Sequence, residues 1–168
     1  MSKLKIFGEA HFEPTSVAAI ESEIRRLKPK YIVHELLDDH VLDPTQVASA
    51  LENCGKSNTP CDPETNIDLF RLAADLGAWL VGCDLSDKEK RDLKSRPLHR
   101  QFAAREQHML EVIHQYAEKS DVVVVVGDIH LRSTSNRTMG TSPIYQSWIK
   151  DRLDAEIHRA PKQFQEML

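Results

Sequence analysis

Two short stretches of this 168-residue chain carry the same arrangement of reactive groups. One is Gly8-Glu9-Ala10-His11, the other Gly127-Asp128-Ile129-His130. Each sets a histidine three residues after a glycine, and each glycine closes an apolar run, Leu4-Lys5-Ile6-Phe7 in the first case and the five valines 122–126 in the second. An imidazole can serve as a general acid, a general base or a metal ligand. The glycine lets the backbone turn sharply or lets a ligand approach it closely. Taken singly, G-x-x-H is a weak pattern, and a lone histidine after a strand is usually a surface or capping residue. Two at the same offset suggest histidines that meet over one crevice.

Glu35 follows the apolar Tyr31-Ile32-Val33, and a carboxylate at the end of such a strand must be hydrated, paired or bound to a cation. With His11 and His130 it makes a plausible divalent-metal set. Its plain alternative is a solvated loop acid. Glu9 stands two residues before His11, on the same side of an extended chain, as a general base or further ligand. His34 should point away from Glu35 and reads as structural. Arg105 lies three residues after Phe102 and four before Met109, on the apolar stripe that continues through Val112, Ile113 and Tyr116. A guanidinium on an inward face requires an anionic partner. That partner is either a structural carboxylate such as Glu35, Glu9 or Asp84, or an oxyanion of a substrate. Asp84 and Asp128 are of second rank: Asp84 follows a strand, and Asp128 sits within a turn.

The elements that must hold these groups alternate. The valine run cannot present a polar face, so it reads as a strand covered on both sides, as in a parallel sheet. Further strands are expected over 31–36, 78–83 and 155–160. Helices are expected from Pro14 to the stop at Pro29, from the Asp43-Pro44-Thr45-Gln46 capping box to Gly55, and from Asp62-Pro63 to Gly77. A polar helix follows Ser86-Asp87-Lys88-Glu89, a long one covers 98–119, and a last one starts at Ser142-Pro143. Strands alternating with helices imply one α/β domain over 1–168, with a mainly parallel or mixed central sheet flanked by helices. Ligands of such sheets bind at the strand C-terminal ends. The polar loop 132–142, directly after His130, is expected to border the crevice as a lid.

Composition limits the partners. Hydrophobic residues make up 40% and charged residues 29%, which describes a globular chain. The formal charge of −4 gives no reason to expect nucleic acid or an anionic membrane. No apolar run approaches a membrane span, and no signal-peptide core follows Lys3 and Lys5. Cys54, Cys61 and Cys83 match no C-x-x-C pattern and are expected as reduced thiols of a cytoplasmic protein. A homodimer is left open.

In order and context, Gly8-Glu9-Ala10-His11, Glu35, Arg105-Glu106-Gln107-His108-Met109 and Gly127-Asp128-Ile129-His130-Leu131 resemble the TraB/Tiki/EreA/ChaN-like superfamily over residues 3–160. The resemblance implies a mixed α/β fold with pseudo-repeated halves and a site built from His11, Glu35, Arg105 and His130, with Glu9 close by. The superfamily includes metal-dependent peptidases, macrolide esterases and haem binders. This chain is compact and carries Glu106 where Asp or Asn is commoner, which points away from an extracellular peptidase or a surface haem carrier. The leading expectation is a hydrolase of a peptide, ester or related bond. It would have a divalent metal (Mn, Co, Zn or Fe) on His11, Glu35 and His130, Arg105 at the oxyanion, and a small molecule or peptide as substrate. A metal-free variant would activate water with a histidine and a carboxylate. The alternatives are a non-catalytic haem or anionic-metabolite binder using the same cleft, and an interaction protein with a degenerate site.

Overall fold

A computed structural model describes residues 4–10, 13–119, 121–131, 138–139, 142–143, 149 and 153–160. His11, most of the loop 132–142 and most of the last expected helix lie outside these residues. The elements are β1 (Leu4–Glu9), α1 (Pro14–Leu27), β2 (Tyr31–His34), β3 (Val41–Leu42), α2 (Pro44–Glu52), α3 (Ile67–Leu76) and β4 (Trp79–Gly82). They continue with α4 (Asp87–Leu93), α5 (Leu98–Ala117), β5 (Val122–Gly127), β6 (Thr138–Met139), β7 (Ser142–Pro143) and β8 (Ala155–His158).

The fold is α/β, built on one six-stranded mixed sheet in the order β3-β4-β2-β5-β1-β8. All neighbours are parallel except β3, which runs antiparallel to β4 at the edge. Strand alternation divides the core in two. Phe7, Ile32, Leu80, Val123 and Val125 face one layer, with Ile20 and Ile24 of α1, Val47 of α2 and Phe70 of α3. Ile6, Val33, Val81, Val124 and Val126 face the other, with Met109, Ile113 and Tyr116 of α5. Val124, Val125 and Val126 are wholly buried, which is why the run tolerates no polar residue. Each such valine contributes about 1.5–3 kcal/mol relative to exposure.

The chain steps from β1 through β2 to β4 with helices on one face. It then returns to β5, between β2 and β1, with α5 on the other face. Right-handed crossovers require this change of face when the direction of winding reverses. The reversal sets the C-terminal ends of β4, β2, β5 and β1 side by side, and the crevice beyond such a reversal is where open sheets place their chemistry.

Local signals account for most boundaries. Asp43 with Gln46 and Ser86 with Glu89 form complete capping boxes. Lys28 in the left-handed region ends α1 ahead of Pro29, and Gly77 at φ 61° ends α3. Four expectations are corrected. The helix expected from Asp62 begins at Ile67, because the Asp62 carboxylate accepts from the N–H groups of Glu64 and Thr65 and closes a turn instead. Ser142–Pro143 pairs antiparallel with Thr138–Met139 rather than starting a helix. The helix expected to reach Gly55 stops at Glu52. Cys54 and Cys61, with Cα atoms 4.8 Å apart, form a disulfide, and of the three cysteines only buried Cys83 is free.

Candidate functional site

The second strand stops at His34, and the next three residues, Glu35–Leu37, form a single 3-10 turn. The alternation of β2 sends His34 toward α1 and α3, and sends Glu35 toward α5. The inward face of α5 carries Phe102, Arg105, Glu106 and Met109 to meet it. Arg105 donates from Nη2 to Glu35 Oε1 at 2.7 Å. The same guanidinium grips Asp84, just past β4, from Nε at 2.9 Å and from Nη2 at 2.7 Å. Glu35 Oε2 accepts from the N–H of Gly127 at 2.6 Å, which ties the end of β2 to the end of β5.

His130 lies in the turn Asp128–Leu131 after β5 and is 1% exposed. Its Nε2 is 3.2 Å from Glu35 Oε1, and its Nδ1 is 2.9 Å from Glu106 Oε1. Its ring packs against Phe102, with centroids 5.5 Å apart. The imidazole therefore lies between two carboxylates, one of them fully buried. Burial disfavours its charged form, but the charge of Glu35 and the hydrogen bonds to Glu106 and Glu35 outweigh that and push its pKa up to about 9. Arg105 behaves alike: burial opposes its charge, while Asp84 and Glu35 hold it above the ordinary arginine range. Asp84 also accepts from its neighbour Leu85, and Lys90 of α4 stands 3.6 Å from it while bonding Asp38. The result is an alternating row of charges, Glu106, His130, Glu35, Arg105, Asp84 and Lys90, spread over the ends of three strands and two helices.

Of the residues singled out in the sequence, Glu35, Arg105, His130 and Asp84 come together. Asp128 does not join them directly. It is wholly buried and accepts from Arg159 at 2.7 Å on both oxygens and from the N–H of Ala160 at 2.9 Å. It thus fastens the His130 turn to the end of β8. Glu9 is at the same edge of the sheet, but it lines the cleft between α1 and α3, with His34 Nε2 at 4.0 Å. His34 Nδ1 accepts from the N–H of Leu36. Burial pushes the Cys83 thiol up, which leaves it a poor nucleophile.

Glu106, Lys90 and Arg159 were not among the residues singled out. Glu106 had a legible signal, since Phe102, Glu106, Met109 and Ile113 are spaced by four, three and four and share the inward stripe with Arg105. Lys90 and Arg159 had none, because their partners Asp38 and Asp128 are distant in sequence.

The first G-x-x-H glycine is explained by this arrangement. A methyl group at position 8 would lie 2.6 Å from Asp128 Oδ1 and 3.3 Å from the Asp128 Cα. Three hydrogen bonds on the far side prevent Asp128 from yielding. Gly8→Ala is expected to cost about 1–3 kcal/mol, as overpacking does. Urea denaturation checks this, and an unchanged midpoint would show that the Asp128 turn is not fixed.

The donor chemistry suits a cation in kind. A carboxylate behind the imidazole, here Glu106, is the usual support of a metal-bound histidine. Among the described residues no group of three or more His, Cys, Asp or Glu side chains is arranged to hold a metal, and His11 lies outside them. Arg105 and His130 share the Glu35 oxygen that a cation would use. No family model, curated protein or solved structure matches the chain.

Proposed function

We propose that the chain is a hydrolase acting at the C-terminal ends of its strands, in line with its resemblance to the TraB/Tiki/EreA/ChaN-like superfamily. One observation carries this reading: Glu35 Oε1 is approached both by the Arg105 guanidinium and by an imidazole that Glu106 orients. The Glu35–His130 pair manages the proton, with Glu35 accepting from water and the imidazolium donating to the leaving group. Glu106 fixes the ring and stabilises its charge, as the third member of a triad does. Arg105 stabilises the negative charge that develops on the attacked group. Because Glu9 lines the α1–α3 cleft, the general-base role passes to Glu35.

In the metal-dependent form of this reading, the alternative to the proton route, His11, Glu35 and His130 would hold a divalent cation. When bound it would lower the pKa of a water ligand. The cation and the His130 proton would compete for the same ring, so the cation's affinity should rise with pH and the proton route would be the metal-free alternative. No helix of the described residues is long and apolar enough to cross a membrane. The cytoplasm is the proposed compartment, where the Cys54–Cys61 bridge would be a reversible feature rather than a permanent staple.

The test uses untagged protein, its metal content by elemental analysis, and turnover of p-nitrophenyl acetate and a quenched peptide library with and without added manganese or zinc. Glu35→Gln, which keeps the shape and loses the charge, is expected to lower turnover by about 100-fold or more. Equal turnover by the variant, at matched folding, would remove this cluster from the chemistry.

A further inference from the structure

The connection from α2 to α3 is closed by its own sulfur bridge. Cys54 follows the end of α2, and Cys61 stands seven residues further on, where the chain re-enters the core. The two ends differ in their surroundings. Cys61 is 1% exposed, in the core layer of Ala50, Leu69 and Phe70, while Cys54 is only partly buried. Between them Gly55, Lys56, Ser57 and Asn58 are exposed. A small thiolate therefore reaches the bridge from the Cys54 side. The sulfur it displaces, that of Cys61, is left in apolar surroundings, where a thiol packs as a small hydrophobe.

The backbone holds the two cysteines together independently of the bridge. The N–H of Gly55 donates to the Cys61 carbonyl at 3.1 Å. The N–H of Cys61 donates to Thr59 Oγ1 at 3.3 Å, and Asn66 Nδ2 donates to the Pro60 carbonyl at 2.9 Å. Thiols placed in this way stay neighbours after reduction, so closing the bridge again is an intramolecular step at high effective concentration. The tip of the loop is held less firmly. Its backbone bonds run from the Lys56 N–H to Asn53 at 3.0 Å and from the Thr59 N–H to Lys56 at 3.4 Å, the second near the limit of such a bond. Asn58, Thr59 and Pro60 of this loop line a cavity of about 430 Å³ together with Leu37, Asp38 and His40 from beyond β2.

We propose that Cys54 and Cys61 are a reversible redox switch, opened and closed in the folded protein by low-molecular-weight thiols and disulfides, which frees or pins the loop 55–60 and with it one wall of this cavity. In opening, a thiolate bonds to the Cys54 sulfur and the bridge breaks, its electron pair leaving on Cys61, which takes up a proton. A second thiolate then displaces Cys54 from the mixed disulfide, and Cys54 takes up the second proton. Two small thiols become one disulfide while the chain gains two electrons and two protons, and closing runs the same steps backwards. The switch does not rest on the hydrolase reading.

The native chain is equilibrated with reduced and oxidised glutathione at stepped ratios, quenched with acid, and its thiols counted by alkylation and mass spectrometry. The expected result is interconversion of dithiol and disulfide without denaturant. Wholly buried Cys83 reports on the fold and should stay unreacted throughout. Hydrogen exchange then compares the two forms. Peptides over 55–60 should exchange at least about tenfold faster in the dithiol, because the closed loop no longer limits local opening, while β5 keeps its protection. Cys54→Ser, at the partly buried end, should exchange like the dithiol at every glutathione ratio. A bridge that yields to glutathione only in denaturant, or only with Cys83 reacting as well, is a permanent staple and overturns the proposal. Equal exchange over 55–60 in the two forms, a loss of protection that extends to β5, or a Cys54→Ser protein that exchanges like the bridged form would overturn it too.

Discussion

Replacing Arg105 with methionine lowers the stability of the fold by about 3–5 kcal/mol, the cost of stranding a buried charge. The side chain is 25% exposed, but its partners Asp84 and Glu35 are only 3% and 8% exposed. Both carboxylates lose their cation at once, in a place where water cannot fully replace it. Protonating them is the remaining remedy, so the variant should lose less stability at pH 4 than at pH 7. Arg105→Lys keeps the charge, yet a single ammonium cannot span Asp84 in two contacts and Glu35 in a third. It should fall between the two. Urea denaturation at both pH values measures all three proteins. A methionine variant that melts like the parent would show that the Arg105 bridges are surface decorations rather than the clamp between β2, β4 and α5.

Arg105 also shows what kind of information the sequence held. Its inward direction was legible because helix periodicity is a local property: Phe102 and Met109 fix the face on which it lies. Its choice of Glu35 and Asp84 was narrowed by the same reasoning, since both follow strands whose ends must share an edge. The face that Glu9 takes was not legible, because strand alternation decides the face of each residue, and the end of β1 presents Glu9 to α1 and α3. Counting residues from His11 said nothing about which face that would be.

The fold was legible where hydrophobic pattern and capping agree. The valine run, the Asp43 and Ser86 capping boxes and the stop at Gly77 all mark observed boundaries. It was obscure where one side chain could serve two local ends. Asp62 before Pro63 reads as a helix cap, but the carboxylate closes a turn and the helix waits for Ile67. The two-residue β3 leaves no period to detect, and its place at the edge comes from pairing with β4. The Cys54–Cys61 bridge depends on how the loop after α2 folds back, which an odd cysteine count cannot reveal.

In chelator-treated protein, stability is expected to fall as pH rises from about 6.5 to about 9, because of His130. The sign follows from the direction of the shift. The imidazole pKa is raised from 6.5 in the open chain to about 9 in the fold, so the folded form holds its proton more tightly. The stabilisation is fully present below 6.5, declines as pH climbs through the window, and is gone above 9. A raised pKa of this size corresponds to stability on the order of 3 kcal/mol. Glu106→Gln separates this source from others better than a change at Glu35, because Glu35 also holds Arg105 and Gly127. The amide can still accept from Nδ1, so geometry survives while one negative charge is lost. Its stability should therefore vary less steeply with pH across the same window. Denaturant midpoints at pH 6.5, 7.5, 8.5 and 9.5 for both proteins supply the comparison. A parent whose midpoint is level over that range, or a Glu106→Gln protein with the same slope as the parent, would mean that His130 does not carry its proton between the two carboxylates. The imidazolium would then be lost as the proton donor of the proposed reaction.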